Sequence, residues 1–280
     1  MTWRDVGREI LATSFFENVL RQLTARRPGR AIANFVGRPC GVYRSFAEAC
    51  AAATSREHAG HEAPLAIQRH IRLSGTIRPS DYAAIYWLSR FARESLSVLD
   101  YGGSVGNLYY SYRPYLPASI RHTVWTVFDL PSVVESGLEL AKQQQATELE
   151  FQTNVQSVTR SHLVLVSGAL HYWETRLTDF ISQFPEKPAM FVINRAPVHP
   201  SESYVTVQLE PTYAVPCFVR STSEIITEFT RNGYDLADSW QAPELSLRMK
   251  FFPHLSIPYY SGFCFIRSDE FEGLHIRRPV

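Results

Sequence analysis

The stretch Val98-Leu99-Asp100-Tyr101-Gly102-Gly103-Ser104-Val105-Gly106 is an apolar run that ends in an acid and continues as a glycine-rich turn. The apolar residues predict a β-strand over residues 97–101, and we expect a helix over residues 106–115. Glycines between a strand and a helix let the backbone approach a ligand closely. The stretch therefore predicts the first strand, turn and helix of an α/β ligand-binding domain.

Short apolar strands alternate with helical stretches after this turn, which predicts parallel βαβ units. Strands are predicted over residues 97–101, 123–128, 149–152, 163–166 and 189–193. Helices are predicted over residues 106–115, 132–145 and 175–183. A strand over 203–208, a helix over 221–232 and two antiparallel strands over 234–240 and 262–267 follow. The fold class predicted for residues 96–280 is α/β, a Rossmann-like sheet with antiparallel terminal strands.

The first 95 residues are predicted to form a helical N-terminal extension. Apolar residues recur at helical spacing over residues 4–26 and again over 79–94. Between these, Ser45 and Glu48 stand at capping-box spacing before an alanine-rich helix. Such helices serve as a lid, as a wall for a second substrate or as a homodimer interface, and the sequence leaves the three open.

Composition excludes several classes of function. The 280 residues are 45% apolar and 20% charged, and 28 Lys and Arg against 27 Asp and Glu give a net charge of +1. This balance disfavours nucleic acid as a partner. Because no apolar run reaches the length of a membrane span and Asp5 stands where signal peptides avoid an acid, we expect a cytoplasmic protein. The scattered cysteines Cys40, Cys50, Cys217 and Cys264 predict no metal site.

The glycine-rich turn does not match the G-x-G-x-x-G pattern of dinucleotide-binding proteins. Counted from Gly102, Ser104 and Asn107 do not provide the glycines that the pattern requires. Asp100 would repel a pyrophosphate, whereas Asp129, at the end of the second predicted strand, is suited to ribose hydroxyls. S-adenosylmethionine has a ribose, a sulfonium and an aminocarboxylate but no phosphate, so it fits these residues better than NAD.

With these features the chain resembles the class I S-adenosylmethionine-dependent methyltransferases. Phe128-Asp129-Leu130-Pro131 and Leu170-His171-Tyr172-Trp173 resemble segments of the caffeate-type O-methyltransferases, although Tyr172 replaces the acid of their H-D-W pattern. The stretch Gly41-Val42-Tyr43-Arg44-Ser45-Phe46-Ala47-Glu48-Ala49, with the glycine-rich turn, is similar to a bacterial family of methyltransferases associated with surface-polysaccharide gene clusters. This second likeness covers residues 36–267.

The resemblance implies a set of cofactor-binding residues. Two acids lead it, because Asp100 is expected near the methionine part and Asp129 is expected to accept the ribose hydroxyls. Asp129 has an alternative interpretation as the N-cap of the next helix. The full predicted set is Asp100, Gly102, Gly103, Ser104, Gly106, Asp129, Leu130, Asn154, Val155, Ser167, Gly168 and Ala169.

Three residues are predicted to act on the methyl acceptor. His171 follows the fourth strand and is the candidate general base, with a purely structural histidine as the alternative. Arg195 and His199 follow the fifth strand and are expected in the acceptor pocket, where Arg195 would favour an acidic acceptor. An exposed cation with no role in the site is the alternative for Arg195.

The sequence therefore predicts a methyltransferase that acts on a hydroxyl of a small molecule or saccharide, with no metal. N- or C-methylation would use the same cofactor site, since the fold does not fix the acceptor. A non-catalytic protein that binds the cofactor and acts through protein contacts is a third hypothesis. A Rossmann oxidoreductase is disfavoured by Asp100 and by the missing glycine pattern.

Overall fold

A computed structural model of the chain describes residues 41–54, 62–91, 97–117, 124–158, 161–209 and 214–271, together with positions 19 and 22. The helix predicted over residues 4–26 lies outside the described residues except at those two positions. The remaining predicted elements fall on described residues, except for positions 92–94 of one predicted helix and position 123 of one predicted strand.

The centre of the fold is a seven-stranded sheet with the order β3-β2-β1-β4-β5-β10-β9. Its strands are β1 (Ser97–Tyr101), β2 (Val124–Phe128), β3 (Leu149–Gln152), β4 (Leu163–Ser167), β5 (Met190–Ala196), β9 (Tyr234–Ala242) and β10 (Tyr260–Arg267). The first five are parallel, and β10 is antiparallel to both β5 and β9. The predicted Rossmann-like sheet with antiparallel terminal strands is confirmed.

The strand order reverses beside β1. The chain runs from β1 outward to β2 and β3, and then returns to place β4 on the other side of β1. The carboxyl ends of β1 and β4 therefore border a crevice, which is where open α/β sheets bind their ligands. Every residue of β5 is buried, as expected for a strand with both faces covered.

Helices cover both faces of this sheet. They are α4 (Asn107–Tyr112), α5 (Pro131–Gln143), α6 (Leu177–Ser182), α7 (Thr222–Arg231) and α8 (Ser268–Phe271). One core contains Leu88, Tyr112 and Trp125, and the other contains Phe180, Phe229 and Phe265. Large aromatic side chains thus fix the helices against the two faces of the sheet.

Within residues 41–91, the described part of the chain contains three helices that precede the sheet: α1 (Phe46–Thr54), α2 (Pro64–Leu73) and α3 (Asp81–Arg90). The predicted cap of α1 is present, because the Glu48 backbone N–H donates to Ser45 Oγ at 3.1 Å. The prediction over residues 79–94 corresponds to α3. The sequence analysis missed α2, although Pro64 in its first turn and the spacing of Ile67 and Ile71 are helix signals.

A second, three-stranded sheet stands beside the first, in the order β6-β8-β7. It contains β6 (Val198–His199), β7 (Tyr204–Leu209) and β8 (Ala214–Ser221). The prediction for 203–208 matches β7, but β8 was missed because Pro216 interrupts its pattern. Pro216 is tolerated because β8 has only β7 beside it there, since β6 pairs with Arg220 and Ser221 alone.

Candidate cofactor and acceptor site

A cavity of about 600 Å³ opens at the carboxyl ends of β1, β2, β4 and β5. Its volume is within the range of small-molecule sites. The structure brings ten of the predicted site residues to its wall: Gly102, Gly103, Ser104, Asp129, Leu130, Ser167, Gly168, Ala169, His171 and Arg195. The crevice at the strand-order reversal is therefore a real cavity, lined by residues from four strand ends.

The glycine-rich turn forms the floor of the cavity. Gly102 has a φ of 74°, and its N–H donates to the carbonyl of Phe128 at 2.8 Å, which ties the turn to the end of β2. Gly103 lies so close to Asp100 that an added Cβ would overlap the carboxyl group. Ser104 is strained, since its φ of 57° is unusual for a residue that is not glycine. The turn thus presents bare backbone to the cavity, as predicted.

Asp100 lies beneath the turn and not at the cavity wall. Its side chain is 1% exposed, and its Oδ2 accepts a long hydrogen bond of 3.4 Å from the Trp125 indole. Its Oδ1 has no hydrogen-bond partner among the described residues. Burial raises the pKa of Asp100 to about 7, and the Trp125 hydrogen bond opposes this increase only in part. Asp100 therefore supports the turn from below.

Asp129 connects the turn to the second strand. Its Oδ2 accepts a hydrogen bond from the Ser104 backbone N–H at 2.7 Å, and its Oδ1 accepts one from the Leu130 N–H at 2.7 Å. Burial raises the pKa of the Asp129 carboxyl, and these two hydrogen bonds oppose the increase. The N-cap of α5 is Leu130 and not Asp129. Leu130 is 43% exposed beside this carboxylate, so an apolar side chain is available at the cavity mouth.

The segment after β4 forms the opposite wall. Gly168 has a φ of 73°, and its N–H donates to the Asn194 carbonyl at 2.8 Å. His171 follows in a short 3-10 turn and is 3% exposed. The ring centroid of His171 lies 4.0 Å from that of Tyr172 and 6.0 Å from that of Tyr260. An imidazole framed by aromatic rings thus reaches the cavity.

Arg195 belongs to a buried polar network at the end of β5. Its guanidinium donates to Ser167 Oγ, with its NH2 nitrogen at 2.8 Å, and the same nitrogen lies 3.5 Å from Asp81 Oδ1. Asp81 Oδ1 also accepts from the Tyr112 hydroxyl at 2.7 Å and from the Asn194 side chain at 3.2 Å. Arg195 is therefore not an exposed cation, and α3 is joined to the site through Asp81.

Four other predicted residues lie outside the cavity wall. Gly106 begins α4 with a φ of 85°, so it shapes the turn without facing the cavity. Asn154 is exposed and accepts the Gln156 N–H at 3.0 Å, and Val155 packs against the core beside it. Neither residue lines the cavity, so their contact with adenine stays a prediction.

His199 is held by its own loop. Its Nδ1 accepts the backbone N–H groups of Ser201 at 3.2 Å and Glu202 at 2.9 Å. The proton is then on Nε2, which donates to the His254 carbonyl at 2.9 Å. Both ring nitrogens are engaged outside the cavity, so His199 is a structural histidine and not an acceptor-site residue.

Two groups of site residues were not predicted from the sequence. Arg69, His70 and Leu73 of α2 line the cavity, as does Arg78 in the segment before α3. Arg220 on β8 is 2% exposed and donates to the carbonyls of Leu170, Trp173 and Thr175, at 3.1, 3.3 and 2.9 Å. Arg220 thereby fixes the turn that carries His171. No local pattern marks these residues, since their role depends on how distant elements pack.

No family model matches the sequence, and the search of curated proteins returned no match. The resemblance to the caffeate-type and polysaccharide-associated families is therefore not confirmed. In the described parts of the chain, no helix is long and apolar enough to cross a membrane, and no group of three or more metal-ligating side chains occurs.

Several solved structures are similar to the chain. Magnesium protoporphyrin IX methyltransferase from Synechocystis, with bound SAH, is 15% identical with a TM-score of 0.45 over 72% of this chain and 84% of that one. A 1,6-didemethyltoxoflavin-N1-methyltransferase from Burkholderia thailandensis is 16% identical with a TM-score of 0.46, covering 76% and 92%. Geranyl diphosphate C-methyltransferase from Streptomyces coelicolor is 12% identical with a TM-score of 0.46, covering 85% and 97%. Likenesses this distant assign neither a reaction nor a ligand to this chain.

Proposed function

We propose that this protein is an S-adenosylmethionine-dependent methyltransferase that methylates a hydroxyl group of a small molecule or saccharide. The observation that carries the proposal is the position of Asp129. Its carboxylate stands at the end of β2, on the cavity wall, and holds the glycine-rich turn through the Ser104 N–H. An acid at this strand end is suited to the two hydroxyls of a ribose.

The residues around Asp129 fit the rest of this cofactor. Leu130 and Val133 offer apolar surface for the adenine, and the bare backbone of Gly102 and Gly103 leaves room for the methionine part. The turn also lacks the G-x-G-x-x-G glycines with which dinucleotide-binding proteins hold a pyrophosphate. When bound, S-adenosylmethionine supplies an electrophilic methyl group, whose bond to sulfur breaks as the bond to the acceptor oxygen forms, with sulfur keeping the electron pair.

His171 is the residue we propose as general base. A neutral hydroxyl is a poor nucleophile until its proton is removed, and an imidazole performs this near neutral pH. The His171 ring lies against Tyr172 and Tyr260, and the carbonyls that Arg220 holds fix the backbone on either side. The hydroxyl proton passes to the imidazole as the methyl group is transferred.

We propose that α2 is the wall of the acceptor pocket, one of the three roles open for the N-terminal helices. Arg69, His70 and Leu73 of this helix line the cavity, and Ile67 of the same helix packs with Val105 and Val133. A wall from outside the sheet lets the acceptor pocket vary while the strand ends that hold the cofactor stay the same.

Titration calorimetry tests the cofactor assignment. The protein is expected to bind S-adenosylmethionine and S-adenosylhomocysteine saturably and not to bind NAD. Asp129→Asn removes the charge at the ribose position. It is expected to weaken the binding of S-adenosylmethionine and of S-adenosylhomocysteine by at least about tenfold. Glu150→Gln, an exposed carboxylate on the neighbouring strand β3, is the matched control and should bind as the wild type does. Binding of NAD alone would contradict the assignment.

Methyl transfer tests the catalytic part. Extracts are incubated with the protein and S-adenosylmethionine labelled in its methyl carbon, and labelled products are sought by mass spectrometry. His171→Ala is expected to slow formation of the product by about 100-fold and to leave the affinity for S-adenosylhomocysteine unchanged. Full activity in His171→Ala would mean that positioning alone drives transfer. Cofactor binding without any labelled product would instead favour the non-catalytic hypothesis.

A further inference from the structure

The cavity is rich in positive charge. Arg69, Arg78 and Arg195 all line it, and they come from α2, from the segment before α3 and from the end of β5. Arg78 and Arg195 are close enough for the charge of Arg195 to lower the pKa of Arg78, after the larger effect of burial. Arg195 lies at the end of β5 and donates to Ser167 at the end of β4, whereas Asp129 stands at the end of β2.

The protein neutralises this charge only in part. Asp81 is fully buried and lies 3.5 Å from Arg195, and it also accepts the Arg78 backbone N–H at 2.8 Å. The Arg78 guanidinium has no hydrogen bond or ion pair within the described parts of the chain, although it is only partly exposed. Glu244 also lines the cavity, and its exposed carboxylate, like that of Asp81, raises the pKa of Arg78. Two carboxylates, those of Asp81 and Glu244, therefore offset only part of the charge of the three guanidinium groups of Arg69, Arg78 and Arg195.

Such an excess of charge at a cavity wall favours an anionic ligand. A partly buried guanidinium without a partner is costly, and a carboxylate or phosphate would relieve this cost through charge-assisted hydrogen bonds. The cavity wall also carries aromatic and apolar side chains, among them Tyr172, Trp173 and Leu245. A small molecule with one anionic group and an uncharged ring or chain would match both surfaces.

We infer that the methyl acceptor is an oxyanion, carrying a carboxylate or a phosphate that Arg78 binds directly, with Arg195 held behind it by Asp81. This inference rests on the proposed function, because it assigns the acceptor of that same site. The bound sulfonium adds a positive charge to the cavity, which strengthens the preference for an anion. The alternative is that Arg78 binds the carboxylate of the cofactor itself.

Small ions test the inference without knowledge of the whole acceptor. Malonate and inorganic phosphate are titrated calorimetrically, at constant ionic strength, into protein saturated with S-adenosylhomocysteine. Malonamide is the uncharged control. At least one of the two anions is expected to bind, whereas malonamide is not. Tighter binding of malonate would indicate a carboxylate on the acceptor, and tighter binding of phosphate would indicate a phosphate.

Arg78→Gln locates the binding. This substitution is expected to weaken the binding of the anion by about tenfold or more and to leave the affinity for S-adenosylhomocysteine unchanged. Arg248→Gln, an exposed arginine that does not line the cavity, is the matched control and should bind both ligands normally. The anion and S-adenosylhomocysteine are expected to bind together without competition.

Three results separate the possible failures. If neither anion binds to the saturated protein, the inference is overturned while the proposed function stands. If the anion competes with S-adenosylhomocysteine, or if Arg78→Gln weakens both ligands equally, Arg78 binds the cofactor carboxylate and the inference is again overturned. If S-adenosylhomocysteine itself does not bind, the proposed function fails and the inference fails with it.

Discussion

Asp100 is a carboxylic acid in an almost fully apolar place. It lies between the Trp125 indole and the backbone of Gly103, with one oxygen lacking a hydrogen-bond partner among the described residues. From the sequence, Asp100 is predictable as the acid of the turn, because it precedes Gly102. Its burial is not predictable, since that depends on the register that places β2 beside β1.

This burial makes stability depend on pH. The carboxyl ionises with an ordinary pKa of 3.8 in the unfolded chain and with a pKa of about 7 in the folded protein. The folded state therefore binds one more proton between these values, so the free energy of unfolding falls as the pH rises from about 4 to about 7. Above about pH 7, the decrease in the free energy of unfolding that Asp100 causes has reached its full size and no longer changes with pH.

Asp100→Asn removes the ionisable group and keeps the shape of the side chain. At pH 8 the variant is expected to be more stable than the wild type by at most ~4 kcal/mol. The gain should shrink as the pH falls towards 5. Urea unfolding of both proteins at pH 5 and pH 8 measures this difference. An equal gain in stability at both pH values, or a loss of stability at pH 8, would contradict the claim that the buried carboxylate of Asp100 destabilises the folded protein.

Among the secondary-structure elements, β8 is the one that most clearly holds the candidate site in place. It belongs to the small sheet, yet Arg220 near its end donates to three carbonyls of the segment that carries His171. Arg220 is also paired with Glu224 of α7 at 3.6 Å. This connection cannot be predicted from the sequence, because Arg220 and the carbonyls that it binds lie about 50 residues apart along the chain.

Arg220→Met tests whether β8 positions His171. The substitution keeps much of the apolar length but removes the donors, so the carbonyls of Leu170, Trp173 and Thr175 lose their partner. Faster hydrogen exchange is expected over residues 168–176, with slower methyl transfer and an unchanged affinity for S-adenosylhomocysteine. Lysine at this position should restore part of the protection. Unchanged exchange in this segment would show that Arg220 does not position it.

For the whole molecule, patterns along the chain were enough to predict the strands of the main sheet. The buried strands β4 and β5 begin with continuous apolar runs, residues 163–166 and 190–193, and the glycine-rich turn marks where the order of strands begins. The cofactor half of the cavity follows from that order, because parallel strand ends meet at one edge. Gly102, Asp129 and Gly168 were therefore placed at the cavity from sequence.

The acceptor half was less predictable, because it is assembled from parts that are distant in the chain. Arg78 precedes α3, Tyr260 begins β10, and Gln208 lies on β7 of the small sheet. Each resembles an ordinary surface or core residue in its local sequence, and only packing brings them together. His199 was predicted in the acceptor pocket because it follows a strand end. In the structure it instead accepts hydrogen bonds from backbone N–H groups of its own loop.

A crystal structure of the protein grown with S-adenosylhomocysteine is the most direct test of the claim that Asp129 and the glycine-rich turn hold a sulfonium nucleoside. We expect the ribose hydroxyls on the Asp129 carboxylate, the adenine against Leu130 and the homocysteine over Gly102 and Gly103. Density for the nucleoside at another site, or a ribose away from Asp129, would contradict the claim.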